Sequence, residues 1–442
     1  MLRTLSVICC VALAAASSGG AAQRTGSTAG TPMNTIAESY VKLVLAMGPH
    51  DPDYVDAYYG PPEWKSEVEA AKMSLEAIGA RADTLSEDLT GIRPGADELE
   101  QLRHQYLERQ LAALRARVRM LKGERLSFDE ESKALYDAVA PTHPDSYFQS
   151  IIDKLEKRFP GAGPLVTRYD AFRRQFVVPR EKLDAVFQAA IQACRARTVK
   201  HIALPGSESF TVEYVTKKSW SGYNWYQGGY RSLIQVNTDL PIYVDRAIDL
   251  ACHEGYPGHH VYNALLEKHL VRDRGWPEFS VYALFSPQSL IAEGTANFGI
   301  EVAFPGTERV AFERSVLFPA AGLEPARAGE YYEVQELVED LDYAGNEAAR
   351  RYLNGEIDRA AAEAWLEHYA LMPRERAAQR VRFYDQYRSY VINYNLGKDM
   401  VRDYIEARVK KASGTGAGAQ ADVRWQEFEQ LLSSPRLPSS LR

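Results

Sequence analysis

The feature that most constrains the fold is a histidine-rich run that a proline interrupts. Three of the 9 histidines in this 442-residue chain fall in one short run, His253-Glu254-Gly255-Tyr256-Pro257-Gly258-His259-His260. In a straight α-helix, His253 and His259 would lie about 9 Å apart along the axis and on different faces. Pro257 cannot donate a hydrogen bond to the carbonyl of His253, and its ring clashes with that carbonyl. A helix through this run must therefore deform.

Such a deformation can bring two of the histidines together. Gly258 accepts the backbone angles that a distorted helix requires. A two-residue bulge at Tyr256 and Pro257 would return His259 to the place one helical turn after the first histidine of the run. Zinc hydrolases carry two histidine ligands at that spacing. His259 is therefore the expected second ligand, and His260 is the alternative.

The residues around the first histidine complete the expected site. A glutamate next to the first ligand can take a proton from the water that the metal activates. This predicts that His253 is a ligand and Glu254 the general base. Glu293 lies in an apolar stretch, where a carboxylate is costly unless it is paired or bound to a metal. We expect one Zn²⁺ per chain, bound by His253, His259 and Glu293, with Asn297 supporting a ligand histidine from one turn further along the helix.

Helical periodicity dominates the rest of the chain. Across residues 96–120, apolar side chains recur at steps of three and four, which predicts an amphipathic helix with a solvated face. Further helices are predicted at 40–47 behind a capping-box pattern, from Pro62 onwards, at 242–271 with an interruption, at 288–303, at several places between 328 and 410, and after a flexible spacer at 414–420.

The helical pattern breaks once. Residues Ser209–Val215 alternate apolar and polar side chains and predict a strand, and 232–237 predict a second one. A connection rich in glycine and aromatic residues, 221–230, would join them. This small β element lies just before the histidine run. Its second strand could bind an extended peptide as an edge strand or could serve as a purely structural hairpin.

The N-terminus has the features of a secretory signal. Arg3 precedes an apolar stretch at 5–15, and small residues follow up to Ala22, so residues 1–22 are predicted to be removed before Gln23. The apolar stretch is too short to span a bilayer, and no later segment approaches about 20 uninterrupted apolar residues. Cys9 lies in the middle of the stretch, which argues against lipid attachment there. We expect a periplasmic or secreted protein without stable membrane insertion.

Charge and cysteine content limit the remaining possibilities. The net charge of −7 and the lack of a long Lys/Arg run argue against nucleic-acid binding. Signal cleavage would leave Cys194 and Cys252, too few for a disulfide framework. Cys194 falls on the apolar face of a predicted helix, so core packing is its expected role, although a bridge to Cys252 remains open.

Three motifs resemble those of a known family. They are the histidine run, the pair Glu293-Gly294, and the segment Tyr394-Asn395-Leu396-Gly397. Together they resemble the bacterial domain-of-unknown-function 885 family, which is similar to helical gluzincin peptidases such as the thimet oligopeptidase and Taq-type carboxypeptidase groups. The resemblance covers most of the mature chain and is strongest from about 223 to 397.

The resemblance implies a mainly α, large two-lobed metallopeptidase-like fold with a deep cleft and a small β hairpin beside it. It also implies His253, His259 and Glu293 as ligands of a divalent metal, with Glu254 as base. Two departures affect the substrate pocket. Thr295 follows Glu293-Gly294 where many members have Trp, and Arg388-Ser389-Tyr390 replaces a Pro-Gly-Gln stretch.

These observations define the expected organisation and function. Residues 23–442 should form one catalytic domain, with a helical lobe at about 23–200, the β element at 208–238, a metal-binding helical lobe at 241–410 and a tail helix at 421–442. Tyr394 is the candidate for stabilising the oxyanion of the reaction. The expected function is that of an exported zinc-dependent hydrolase, a peptidase acting on a peptide or small amide. The alternatives are an amidase or esterase acting on a non-peptide substrate, and a catalytically inactive metal-containing binding protein, which could lose Glu254 without consequence.

Overall fold

The computed structural model describes residues 30–412 and 417–441. The predicted signal peptide and Cys9 lie outside the described residues. The α-helices are α1 (Pro32–Met47), α2 (Pro62–Ala71), α3 (Leu75–Thr90), α4 (Glu98–Leu121), α5 (Phe128–Tyr136), α6 (Asp145–Arg158), α7 (Leu165–Arg173), α8 (Leu183–Thr198), α9 (Asp245–Leu250), α10 (His259–Leu266), α11 (Pro287–Ala303), α12 (Glu308–Phe312), α13 (Phe318–Ala321), α14 (Ala328–Glu339), α15 (Ala344–Leu353), α16 (Arg359–Tyr369), α17 (Arg374–Tyr387), α18 (Ile392–Ala412) and α19 (Ala417–Leu432).

Short non-α turns and strands complete the structure. The strands are β1 (Val55–Tyr58), β2 (Ser209–Val215), β3 (Gly222–Gly228), β4 (Arg231–Asn237) and β5 (Val281–Ala283). The π-helical turns are Ala251–Gly255, Glu267–Arg272 and Glu313–Leu317, and the 3-10 turns are Arg174–Phe176, Arg180–Lys182, Pro277–Ser280, Pro325–Arg327, Arg388–Val391 and Pro438–Ser440. The fold is therefore mainly α, which confirms the predicted class.

Local sequence explains where the first helices begin and which face they bury. The first helix begins eight residues before the predicted 40–47, because the Thr31 hydroxyl caps it by accepting from the backbone N–H of Asn34 at 3.3 Å. Pro62 opens α2, as predicted. The predicted apolar face at 96–120 is the buried face of α4, whose side chains at these positions are at most 3% exposed: Leu107, Leu111, Leu114 and Val118.

The β element has three strands rather than two. Strand β2 has the predicted bounds, and β4 starts one residue before the predicted 232–237. The predicted connection at 221–230 contains a third strand, β3. The order is β2-β4-β3, with β4 parallel to β2 and antiparallel to β3. Of the two roles left open for 232–237, the free edge strand is excluded, because β4 lies in the centre and pairs on both sides.

Two hydrophobic clusters form the core. One packs α1 and α3–α5 against α15–α17, and the other packs α6–α11 against α13, α14, α18 and α19. Each cluster draws on helices from both the early and the late part of the chain. The division into lobes at the predicted boundaries stays a prediction.

Cys194 on α8 is bonded to Cys252 in a disulfide, with a Cα–Cα distance of 5.6 Å. Cys194 is fully buried, as its apolar helix face predicted, but the expectation that it serves as core packing alone is wrong. The bridge ties α8 to the residue that directly precedes His253.

The C-terminal part differs in one detail from the prediction. The predicted spacer at 414–420 is partly helical, since α19 already begins at Ala417, while 413–416 lie outside the described residues. Within the described ranges, no helix has both the length and the apolar content that crossing a membrane requires.

Candidate metal centre

The histidine run forms the junction between two helices. The first of them, α9, continues into the π-helical turn Ala251–Gly255 and ends there, and α10 begins at His259. The break between them contains a cis peptide bond before Pro257. A Cβ on Gly258 would lie 1.9 Å from the carbonyl oxygen of His253, so only glycine fits. The predicted two-residue bulge is thus a complete helix break, because Pro257 has no N–H with which to continue the ladder.

The break and α11 bring three potential ligands together. The Nε2 atoms of His253 and His259 are 3.1 Å apart. Oε2 of Glu293 lies 3.3 Å from Nε2 of His253 and 3.7 Å from Nε2 of His259. One ligand atom from each side chain falls within 4.8 Å of the other two. The structure therefore places all three predicted ligands at one point, which lies on the wall of an open cleft.

This arrangement fits a cation. Oε2 of Glu293 is buried and has no hydrogen-bond partner among the described residues. A buried carboxylate oxygen that accepts no hydrogen bond is costly. Two imidazole nitrogens that face each other at 3.1 Å are also costly unless a proton or a cation lies between them. Imidazole nitrogen and carboxylate oxygen are ligands that zinc accepts, and three protein ligands are typical of its catalytic sites. The three side chains could therefore hold one zinc ion.

Burial raises the pKa of Glu293, but the two histidines facing it have the larger, opposite effect. The net result is a pKa well below the ordinary value for glutamate. The carboxylate is therefore in the charged form, which is the form that binds a metal.

Two neighbours hold the ligands in position. Oδ1 of Asn297 lies 3.1 Å from Nδ1 of His253, and Nδ2 of Asn297 donates to the carbonyl oxygen of Tyr394 at 3.2 Å. With Asn297 as acceptor, the proton of His253 sits on Nδ1 and the lone pair of Nε2 faces the cluster. The hydroxyl of Tyr390 donates to Oε1 of Glu293 at 2.7 Å. Sequence reasoning expected the role of Asn297 and missed that of Tyr390.

Glu254 lies next to the first ligand and is 4% exposed. Strand β3 packs against it so closely that a Cβ on Gly222 would lie 2.6 Å from Oε1 of Glu254. Asn224 of the same strand donates its side-chain N–H to the Glu254 carbonyl at 2.7 Å. Burial and the charge of Glu293 raise the pKa of Glu254, and the charge of His259 lowers it. The net pKa is about 7. Strand β3 therefore packs against the side chain of Glu254 and bonds to its backbone, and the residue lines the cleft.

His260, the alternative ligand, points away from the cluster. Its Nδ1 lies 2.9 Å from the hydroxyl of Ser232, and its Nε2 lies 3.0 Å from Oε2 of Glu208. The His260 side chain is fully buried. Its contacts connect α10 to β4 and to the segment before β2, so its role here is to hold the helix break against the sheet.

Tyr394 lines the same cleft as the three ligands. Its hydroxyl group makes no hydrogen bond within the part of the chain that the structure describes, and it is not sealed off from the cleft. Burial raises the pKa of Tyr394 well above its ordinary value, and the charge of Glu293 raises it further. The hydroxyl therefore keeps its proton and can donate it in a hydrogen bond.

Close packing of α11 and α18 sets the distance between ligand and tyrosines. A Cβ on Gly294 would lie 2.4 Å from the carbonyl oxygen of Gly397, and a Cβ on Gly397 would lie 2.8 Å from the carbonyl oxygen of Leu290. Only two glycines allow the helix backbones to approach this closely. Both motifs that flank the site, Glu293-Gly294 and Leu396-Gly397, contain one of them.

The cleft has a volume of about 1130 Å³. Another acidic side chain that sequence reasoning missed, Asp56 on β1, lies in its wall. Burial, the largest effect, and the charge of Glu293 raise the pKa of Asp56, while a hydrogen bond with Tyr223 and the charge of His259 lower it, and the net pKa is about 7. The metal end of the cleft is therefore rich in carboxyl groups from distant parts of the chain. A short strand such as β1 carries no sequence signal that could have placed Asp56 there.

Comparison with known proteins gives similarity of fold alone. No protein-family model matches the chain, and no curated protein matches it. A crystal structure of a candidate lipoprotein from Colwellia psychrerythraea is similar, with a TM-score of 0.50 and 14% identity over 83% of this chain and 68% of that one. A candidate lipoprotein of unknown function from Shewanella oneidensis matches with a TM-score of 0.40 and 14% identity over 92% of this chain and 89% of that one.

Proposed function

We propose that this protein is an exported zinc-dependent hydrolase of the peptidase type. The observation that carries the proposal is the convergence of His253, His259 and Glu293 in the wall of an open cleft, with Oε2 of Glu293 buried and within 3.3–3.7 Å of both imidazole Nε2 atoms. Their chemistry and number fit a catalytic zinc site better than a structural one, since structural sites are usually closed by four protein ligands.

The residues around the ligands have roles that suit hydrolysis. A zinc ion bound here would polarise the substrate carbonyl and make a water molecule more acidic. Glu254 would take a proton from that water as its oxygen bonds to the carbonyl carbon, and would pass the proton to the leaving nitrogen as the C–N bond breaks. This role is supported by the position of Glu254 next to His253 and by the close packing of β3 against Glu254.

Tyr394 and two other residues complete the proposed mechanism. The free hydroxyl of Tyr394 faces the cleft and would donate a hydrogen bond to the oxyanion that forms during attack. Asn297 and Tyr390 do not act on the substrate. They fix the orientation of His253 and Glu293, respectively, so that the ligands need not reorganise during the reaction.

A peptide is the substrate that the cleft suits best. Strand β3 lies at the edge of the three-stranded sheet and passes directly beside Glu254. Strand β1 packs against β3, so an extended peptide would lie in the cleft beside β3 and Glu254, where it would present successive carbonyl groups to the site. The resemblance of the sequence motifs to those of the domain-of-unknown-function 885 family and the helical gluzincins favours the same substrate class.

Export is supported by the N-terminal signal pattern and by the disulfide between Cys194 and Cys252. Disulfides persist in oxidising compartments such as the periplasm and the extracellular space. The similar structure from Colwellia psychrerythraea is described as a candidate lipoprotein, which agrees with a location in the cell envelope or beyond it.

The proposal is tested by incubating the purified protein with a diverse pool of peptides, esters and amides and identifying products by mass spectrometry. Zinc-loaded protein should cleave members of the peptide group, and chelator-treated protein should not until zinc is returned. Cleavage confined to esters or non-peptide amides would replace the peptidase by another hydrolase. A complete lack of products from zinc-loaded protein would favour a binding protein instead.

A further inference from the structure

One helix presents a regular row of side chains to the cleft. Arg376, Arg380, Phe383 and Tyr387 of α17 all line it. Their spacing of four, three and four residues places them on one face of the helix. The row begins with two arginines and ends with two aromatic rings, so the wall has a cationic part and an apolar part.

Neither of these arginines has a carboxylate partner within ion-pair distance in the described residues. The guanidinium of Arg376 donates to Oε1 of Gln379 at 2.9 Å, and that of Arg380 lies 5.5 Å from the centroid of the Phe383 ring. The other arginines at the cleft differ in this respect. Arg246 pairs with Asp249 at 3.0 Å, and Arg309 pairs with Asp249 at 2.8 Å.

The environment of Arg376 disfavours its positive charge. Burial, together with the charges of Arg380, Arg246 and Arg173, lowers the pKa of Arg376 to about 9. Positive charges at this place therefore repel one another in a partly desolvated site. Such an arrangement is costly unless an anion neutralises it.

No acidic side chain of the described chain fills this role. The charge of Arg380 lowers the pKa of the buried Asp342, but the two groups lie beyond ion-pair distance. Burial and the charge of Glu339 outweigh this effect, so that the pKa of Asp342 is raised to about 7. The nearby Lys398 is already paired with Glu301 at 2.8 Å and also with Glu339. The cationic patch, defined as Arg376 and Arg380, thus lacks an internal counter-ion.

The cationic patch lies on the same cleft as the metal centre. The charge of Arg380 acts on Tyr394, and that of Arg246, which neighbours Arg376, acts on Glu254. The metal end carries the carboxyl groups of Glu293, Glu254 and Asp56, whose negative charge a bound Zn²⁺ would offset, so the cationic patch is the part of the cleft that attracts an anion. An asymmetric field of this kind orients a substrate that carries charge at one end.

We propose that the cationic patch binds a carboxylate of the substrate, so that the preferred substrates are peptides with a free carboxylate near the bond that is cleaved. This inference rests on the proposed hydrolytic function. A guanidinium offers paired N–H donors that match the two oxygens of a carboxylate, and two guanidiniums can hold it from two sides. The carboxylate is either the C-terminus of the peptide or an acidic side chain, and the chemistry of the patch is the same for both.

The test uses a synthetic set of N-acetylated tetrapeptides whose inner residues are randomised without Asp and Glu, prepared in four forms. The last residue is Ala or Glu, and its terminus is a free carboxylate or a carboxamide. Initial rates for zinc-loaded protein should be at least about tenfold higher for the two free-acid forms, or for the two Glu forms, than for the Ala carboxamide, as expected for a charge-assisted pair. Preference for both free-acid forms identifies the terminus, and preference for the Glu carboxamide identifies the side chain.

Substitution of the arginines should remove this preference. The ratio of acid to amide rates should fall towards one in Arg376→Gln and in Arg380→Gln, and Arg→Lys at either position should retain part of it. Arg125→Gln, at an exposed position in the loop after α4, is the matched control and should keep the wild-type ratio. Equal rates for all four forms in the wild type, or a ratio that survives both Gln substitutions, would overturn the proposal.

The experiment also separates this inference from the proposed function. If zinc-loaded protein hydrolyses none of the peptides, the proposed function fails. Calorimetric titration with the same acid and amide forms then tests whether the cationic patch binds a carboxylate. Binding of the acid forms that is lost in Arg376→Gln would support a carboxylate site in a binding protein. Equal binding of acid and amide forms, or no binding of either, would overturn it.

Discussion

The adjacent residues His259 and His260 have different environments, and their substitution should therefore have different consequences. His259 belongs to the ligand cluster, so His259→Ala should lower the zinc content well below one equivalent per chain. His260→Ala should retain about one equivalent but lose roughly 1–3 kcal/mol of unfolding free energy, because it leaves the buried Ser232 hydroxyl without its partner and removes one contact of Glu208, which keeps those to Arg195 and Tyr256. Elemental analysis and thermal unfolding of both variants check this. Loss of zinc in His260→Ala alone would contradict the geometry.

Substitution of the two tyrosines near Glu293 should have two different effects. Tyr390→Phe removes the donor to Oε1 of Glu293, so zinc affinity should fall about 10–100-fold, as expected for a group that orients a ligand. Tyr394→Phe should leave zinc affinity near wild type and lower kcat, because the hydroxyl acts on the reacting carbonyl. Zinc titration with a competing chelator and steady-state kinetics provide the two measurements. An exchange of the two phenotypes would reverse the assignment.

At the residue scale, the sequence could predict the candidate ligands but only part of their support. The clustering of His253 and His259 around a proline is a local signal, and Glu293 stands out as an acid in an apolar stretch. Tyr390 and Asp56 carry no such signal, since each is one of many similar residues and reaches the site only through the packing of distant segments. The choice between His259 and His260 likewise depends on Glu208 and Ser232, which lie outside the histidine run.

Among the elements, α11 and α18 make the contact on which the site most depends. Gly294→Ala would place a methyl group 2.4 Å from the carbonyl oxygen of Gly397, so the helices must separate. Overpacking of this kind costs about 1–3 kcal/mol, and it would move Glu293 away from Tyr390. Thermal unfolding and zinc affinity should both decline. The control is Gly418→Ala in α19, where a Cβ meets nothing within 4 Å and stability should be unchanged or slightly higher.

The disulfide connects α8 to the turn that carries His253, across a sequence separation of 58 residues. Loss of a crosslink over a loop of this length should cost about 4 kcal/mol of unfolding free energy in the chain-entropy account. The double variant Cys194→Ala/Cys252→Ala should therefore unfold at a lower denaturant concentration than the oxidised wild type, and reductant should lower only the wild-type midpoint. Equal midpoints for the oxidised wild type and the double variant would show that the bridge does not stabilise the fold.

Element prediction succeeded where the hydrophobic period was regular. Strand β2 and helix α4 have clean periods of two and of three to four residues, and their positions followed from the sequence. Strand β3 was missed, because its glycines and aromatic residues look like a loop. It becomes a strand through pairing with β4 and packing against Glu254, which are tertiary effects. Without the third strand, an edge role for β4 had also remained open.

On the scale of the whole molecule, the cleft is formed by parts of the chain that are far apart in sequence. Asp56, the histidine run, Glu293 and the arginines of α17 meet in one cavity. The mainly α class and the candidate metal ligands could be inferred from sequence, because periodicity and motif spacing are local. The charge distribution of the cleft could not, because it depends on which walls face each other.

The central claim is that this cleft is a hydrolytic centre in which Glu254 is the base. The most direct test is Glu254→Gln, which keeps the size of the side chain and removes its ability to accept the proton. Zinc content and thermal midpoint should stay near wild type, because Glu254 is not among the three ligands, while hydrolysis of the best peptide should fall about 10²–10⁴-fold. A zinc-loaded Glu254→Gln protein that hydrolyses this peptide at the wild-type rate would contradict the account.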